Sequence, residues 1–134
     1  MNSKPSQAFI VTSWVALAIG VVFYLIDLFF TKMQLNEKGF YLVVLLYGLF
    51  SVVSVQKSVR DKMEGIPVTA IYYTLSWVST AVSILLLVIG LWNAEMGLTE
   101  KGFLAIAFLM SMFAAIAVQK NTRDNMSAEY KENK

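Results

Sequence analysis

Apolar residues in this chain fall into four long runs. The first goes from Ala8 to Phe30 and holds one charge, Asp27, near its end. The second goes from Gly39 to Val55, the third from Val68 to Trp92 and the fourth from Gly102 to Val118. A helix needs about 20 apolar residues to cross the hydrocarbon core, within a range of about 17–25. The pattern therefore predicts four membrane-spanning helices in an all-α protein. The second and fourth runs are short. They cross if they stand upright, or if Gln56 and Gln119 lie at the boundary. Ala16-Leu17-Ala18 resembles a signal-peptide cleavage site, but the apolar run continues well beyond the roughly 7–15 residues of a signal segment. It reads as an anchor.

The polar positions between the runs occur twice. Ser13-Trp14-Val15 returns as Ser76-Trp77-Val78. Glu37-Lys38-Gly39-Phe40 returns as Glu100-Lys101-Gly102-Phe103, and Gln56-Lys57-x-x-Arg60-Asp61 as Gln119-Lys120-x-x-Arg123-Asp124. Every pair is 63 positions apart. An ungapped match at one fixed step marks a tandem duplication. The organisation expected is a cytoplasmic amino-terminal segment 1–7, a two-helix repeat over 8–64, a second over 65–126, and a disordered cytoplasmic tail over 127–134.

Composition agrees with a lipid surround: 57% of residues are hydrophobic and 15% charged, against about 45–50% and 25% in soluble domains. The chain has no cysteine and no histidine. Thiolate sites and imidazole chemistry are excluded, and the sequence offers no catalytic or metal-ligating set, no cofactor site and no nucleic-acid-binding pattern. Charge placement sets the orientation. Lys4, Lys57, Arg60, Lys62, Lys120, Arg123, Lys131 and Lys134 lie at the termini and middle loop. Lys32, Lys38 and Lys101 lie in the other two loops. The positive-inside rule puts both termini in the cytoplasm.

The repeated motifs have structural readings first. Asn36 and Thr99 suit a helix N-cap, with Glu37 and Glu100 at the positive end of the dipole. Leu35 with Phe40, and Leu98 with Phe103, would then form hydrophobic staples. The alternative is a paired polar site of Glu37, Lys38, Glu100 and Lys101 at the outer mouth. After Val55 the apolar positions Val59 and Met63 carry the helix beyond the membrane, and Glu64-Gly65-Ile66-Pro67 stops it. Gln56, Lys57, Arg60, Asp61 and their twins Gln119, Lys120, Arg123 and Asp124 read as a cytoplasmic collar. It fixes topology and faces lipid phosphates, or forms a docking surface for a soluble partner or anionic lipid.

Trp14 and Trp77 are expected to pack inside the bundle, with a Trp-lined pocket for a lipid or small apolar ligand as the alternative. Small residues at helical spacing let helices approach closely in lipid: Thr12, Ala16 and Gly20; Gly48; Ser79 and Ser83; Ala107, Ser111 and Ala115. They pack the four helices, or two copies of the protein. Asp27 is the one carboxylate within a span, a functional candidate by default. Its twin is Gly90 and it lies near the outer end, so a snorkelling interfacial role competes with a proton or cation site and with a helix-packing role.

Four stretches carry a family resemblance: Leu91-Trp92-Asn93-Ala94-Glu95-Met96, Glu100-Lys101-Gly102-Phe103, Val118-Gln119-Lys120 and Glu64-Gly65-Ile66-Pro67. With them the chain resembles the YiaA/YiaB inner-membrane family, in its tandem form, from about Phe9 to Asn125. The first copy departs from the pattern, with Phe29-Phe30-Thr31-Lys32 in place of a Trp-Asn-Ala-Glu stretch and Asp27 in place of a Gly. The resemblance implies a bacterial inner-membrane protein and no activity. The expected function is a non-enzymatic structural or interaction protein, in contact with lipids, a second copy or another membrane protein. A small transporter or channel, or a lipid-binding protein, using Asp27 or the Trp14/Trp77 region, is the alternative. Glu37, Glu95 and Glu100 are the only grouped outer carboxylates, too few to support an enzyme.

Overall fold

The computed structural model describes residues 4–133. They form four helices: α1 (Gln7–Phe30), α2 (Leu35–Met63), α3 (Ala70–Asn93) and α4 (Leu98–Glu132). Each is long and apolar enough to cross a membrane. The 24 residues of α1 and of α3 span about 36 Å at about 1.5 Å per residue, enough for about 30 Å of hydrocarbon. α2 and α4 are longer and project beyond it at the end of the bundle where α1 begins and α4 finishes, the termini end.

Local chemistry sets the helix ends. Ser6 and Thr69 are twins in the duplication. Each hydroxyl oxygen accepts from a first-turn N–H, of Phe9 at 3.1 Å and of Tyr72 at 3.2 Å, which caps α1 and α3. The expected caps of α2 and α4 are corrected. Both helices start two residues early, at Leu35 and Leu98, after Gln34 and Gly97 that make no side-chain cap bond. The first turns close through Lys38 N–H to Gln34 O and Lys101 N–H to Gly97 O. The earlier start still keeps Glu37 and Glu100 in the first turn, where the dipole favours them. Leu35 and Leu98 are 85% and 86% exposed, so neither forms a staple.

The end of α2 follows the sequence. Gly65 takes φ +76°, Ile66 N–H donates to Asp61 O and Gly65 N–H to Lys62 O. This paired closure needs a left-handed residue, which glycine supplies without strain. α4 behaves differently. It stays helical to Glu132, where an irregular tail was expected from residue 127. Ala128 is buried, and Lys4 pairs with Glu132 at 3.2 Å, so the extension is tied to the rest of the molecule.

The two repeats are exchanged in their packing. α2 and α4 lie together at the centre, α1 runs along α4, and α3 runs along α2; α1 and α2 touch only slightly. The first helix of each repeat thus leans on the second helix of the other. Tyr24, Leu45, Leu104 and Phe108 are fully enclosed at the centre. Gly20, Gly48, Ser83, Ala107, Ser111 and Ala115 are buried in these crossings, which is the small-residue packing expected in lipid. The buried hydroxyls of Ser13, Ser58, Ser83 and Ser111 donate to carbonyls of their own helices. Such back-bonding satisfies the hydroxyl without calling on a neighbouring helix.

Candidate functional site

Charge collects at the two ends of the bundle. At the termini end, the projecting turns of α2 and α4 bring the twin collar motifs face to face. Arg60 reaches Asp124 at 2.7 Å, and Arg123 reaches Asp61 at 2.8 Å. Lys57 pairs with Asp61 and Lys120 with Asp124, one turn apart on the same helix. Both arginine side chains are mostly covered and Asp61 is buried. Lys57 and Lys120 remain half exposed. Gln56 and Gln119 lie half-buried one turn before the arginines.

This network is reciprocal but not perfectly symmetric. Glu64 accepts from Arg123 at 2.6 Å and from Arg60 at 3.3 Å. Its twin position is Ser127, which carries no charge. The lysine hydrogen bond holds the Asp61 carboxyl below the usual carboxylate range; Arg123 adds to this, against the effect of burial. Arg123 holds Glu64 down in the same way. Burial pushes Asp124 up, but the bonds from Lys120 and Arg60 outweigh it and its pKa is lowered. Glu64 marks the end of α2 in sequence, and its place in the charge network had no signal there.

At the opposite end, the loops 31–34 and 94–97 lie side by side and separate two clefts. One, of about 610 Å³, is lined by Gln34, Glu37, Tyr41, Gly90, Asn93 and Glu95, with Lys32 on its wall. The other, of about 460 Å³, is lined by Asp27, Phe30, Lys32, Glu95 and Glu100. The duplication relates them: Gly90 answers to Asp27, Asn93 to Phe30 and Glu37 to Glu100. Lys32 and Glu95 are twins of each other and belong to both clefts. Asp27 Oδ2 is shielded, with no hydrogen-bond partner among the described residues.

The four-residue outer site considered from sequence does not assemble. Glu37 and Glu100 line different clefts. Lys38 turns back to α1, where its ammonium donates to Phe29 O at 2.8 Å and stands 5.7 Å from the Phe29 ring centroid. Lys101 is half-buried and lines neither cleft. Lys32 and Asn93 were missed as site residues; their signal was the fixed step itself, which sets Lys32 against Glu95 and Asn93 against Phe30.

Trp14 and Trp77 are 55% and 48% exposed, which corrects the expectation that they pack inside the bundle. Both lie on the outer helices near the termini end, where an indole can sit between apolar and polar surroundings.

Four membrane-capable helices, in two like-oriented pairs that clasp each other, define an integral membrane protein built by tandem duplication. The chain matches the yiaA/B two helix domain twice, over residues 9–61 and 72–124, and it belongs to that family. It is 56% identical over 122 residues to the Inner membrane protein YiaA of Escherichia coli (strain K12), a match covering 91% of this chain and 84% of that protein. No solved structure matches.

Proposed function

We propose that the chain is a non-enzymatic inner-membrane protein that acts through helix packing, with both termini in the cytoplasm. One observation carries the reading: the centre of the bundle is filled. Tyr24, Leu45, Leu104 and Phe108 are enclosed there, and the charges are drawn to the two ends. The surfaces left to neighbours are the apolar outer faces of all four helices, with Phe23 and Ile26 of α1, Phe50 of α2, Leu85 and Val88 of α3 and Phe113 of α4 exposed. The small-residue stripes are already used within one chain, so a second copy would meet these outer faces instead. The termini end holds most of the lysines and arginines, which supports the inward orientation. There the half-exposed Lys57 and Lys120 are placed to meet lipid phosphates.

Crosslinking in native membranes, followed by native mass spectrometry, tests this reading. The expected result is a defined neighbour, either a second copy or another membrane protein. A strict monomer without neighbours opposes it. A cysteine placed at either terminus of this cysteine-free chain reports orientation by its reaction with an impermeant maleimide.

The shielded, unpartnered Asp27 Oδ2 favours a second reading, a small transporter using the smaller cleft. Asp27→Asn then abolishes flux in proteoliposomes. Unchanged flux removes Asp27 from any mechanism.

A further inference from the structure

The duplication supplies two versions of one groove near the termini end, and they differ in one respect. Between α3 and α2, the chain fills its own groove with a cation. The Lys62 ammonium lies 3.8 Å from the centroid of the Tyr73 ring, and Trp77 meets Tyr73 edge-on at 6.5 Å. A cation over an aromatic face is held by the ring quadrupole. Between α1 and α4 the equivalent positions carry Ile10 for Tyr73, Trp14 for Trp77 and Asn125 for Lys62. The ammonium is gone, and an open groove of about 210 Å³ remains, lined by Trp14, Asn121, Asn125 and Glu129 among others.

A residue on the wall of the open groove, Asn121, has an unmet need. Asn121 is 3% exposed. Its Nδ2 donates to Ser13 Oγ at 3.2 Å, and Ser13 has already committed its own proton to Ile10 O at 2.8 Å. That commitment fixes which way the amide points, because Ser13 can then only accept. The other end, Asn121 Oδ1, has no hydrogen-bond partner among the described residues. A buried acceptor left unpaired is costly. What the groove lacks is a donor, and the Glu129 carboxylate and the Trp14 indole make a positively charged donor the favoured one.

We infer that the α1–α4 groove beside Trp14, whose α2–α3 twin holds the Lys62 ammonium over Tyr73, binds a primary ammonium group from outside the chain. Asn121 Oδ1 is shielded from solvent, so binding requires that side chain to turn its oxygen toward the groove, where it accepts from the ammonium N–H groups while the charge faces Glu129 and Trp14. The volume suits an aminoethyl group and is below the roughly 300–1,000 Å³ of a drug-sized site. A quaternary ammonium carries the charge but has no N–H to give, so it fails at Asn121. Two sources offer the chemistry: an ethanolamine phospholipid headgroup, and a soluble amine.

Native mass spectrometry of the full chain, released from mixed micelles of phosphatidylethanolamine and phosphatidylcholine, tests this. One bound ethanolamine lipid is expected, with an about tenfold preference over the choline lipid, the scale set by one satisfied buried polar group. Asn121→Leu loses the preference. So does the double variant I10Y/N125K, which rebuilds the twin groove with its own lysine; its melting temperature, equal to or above that of the parent, shows that it folds. In a second arm, soluble ethanolamine is titrated in choline-lipid micelles. Ethanolamine-lipid preference in the first arm identifies the lipid as the source. Stabilisation by soluble ethanolamine alone, absent in Asn121→Leu, identifies a free amine. No preference in the first arm together with no stabilisation in the second overturns the inference, as does a preference that survives both variants.

Discussion

Gly20 of α1 lies directly against Ser111 of α4. A Cβ added to Gly20 would stand 2.6 Å from Ser111 Oγ and 3.0 Å from its backbone nitrogen. At the twin crossing the sizes are reversed. Ser83 of α3 takes the place of Gly20, and Gly48 of α2 takes the place of Ser111; a Cβ on Gly48 would lie 3.4 Å from Ser83 Oγ and 2.8 Å from the Phe108 ring. Each crossing therefore has one glycine and one serine, on opposite helices. The two halves have kept the close approach while exchanging which helix gives way, as small-residue packing in lipid requires.

This exchange predicts a compensating pair. Gly20→Ser alone forces two hydroxymethyl groups into one space and destabilises the bundle by about 1–3 kcal/mol, the usual cost of overpacking. Ser111→Gly in the same chain recovers part of that loss, because it removes the 2.6 Å hydroxyl contact and leaves the 3.0 Å contact with the residue 111 backbone nitrogen. Unfolding in detergent, followed by circular dichroism for all four members of the cycle, measures the coupling. Strictly additive losses would show that the two side chains do not share the space.

The reciprocal ion pairs predict unequal costs within one motif. Arg123 serves both Asp61 and Glu64 and is mostly covered. Arg123→Ala leaves the buried Asp61 with Lys57 as its remaining ion-pair partner and should cost about 2–3 kcal/mol, the range for hydrogen bonds to charged groups. Lys57 is half exposed, and Lys57→Ala should cost less than about 1 kcal/mol. The same unfolding assay compares them, and equal losses would contradict the geometry.

Acid should loosen the same end of the molecule first. Asp61, Glu64 and Asp124 all have lowered folded-state pKa values. Their contribution is fully present above their unfolded values, about 4, and is lost as pH falls through the lower folded values. Melting temperature should therefore hold steady from neutral pH to about pH 5 and fall below the ordinary carboxylate range. Asp61→Asn should flatten that fall. A parent and variant with parallel acid profiles would remove Asp61 from the linkage.

Much of this was legible in the chain. Four apolar runs and a fixed 63-residue step give the helices, their pairing into repeats and the common end for both termini. Gly65 and the apolar faces of Val59 and Met63 give the projecting end of α2. Neighbour choice was not legible, because a repeat that folds on itself and one that exchanges partners bury the same residues. The collar shows the limit best. Arg60-Asp61 and Arg123-Asp124 read as surface charge one copy at a time; only the packing of α2 on α4 turns adjacent opposite charges into reciprocal pairs. The helix starts were misplaced because Asn36 and Thr99 are good caps in isolation, while the backbone closes two residues earlier, after Gln34 and Gly97.

The two outer clefts should answer differently to the same exchange. A Cβ on Gly90 would stand 2.7 Å from the Phe40 ring and 3.2 Å from the Tyr41 hydroxyl. At the twin position the room exists, because Phe103 stacks on Phe23 at 6.3 Å and Leu104 replaces the tyrosine. Gly90→Asp should therefore destabilise by about 1–3 kcal/mol, and Asp27→Gly by less than about 1 kcal/mol. Thermal denaturation of both variants in one detergent decides it, and a tolerated Gly90→Asp would mean that Phe40 gives way freely.

The exchanged packing makes the most direct prediction. Ser13 of α1 meets Asn121 of α4 through a 3.2 Å hydrogen bond, although 108 residues separate them. The chain has no cysteine, so a S13C/N121C variant carries the only two thiols. A short bifunctional maleimide should join them within one chain, giving a faster-migrating monomer on a denaturing gel. The arrangement in which each repeat folds on itself predicts something else: α1 beside α2, with no link between residues 13 and 121. A cysteine pair across α1 and α2 would then react instead. A third outcome, a linked dimer, would mean that the same contact is made between two copies, with α1 of each chain leaning on α4 of the other. Slight contact between α1 and α2 makes that swap geometrically cheap, so the gel distinguishes exchange inside the chain from exchange between chains in one lane.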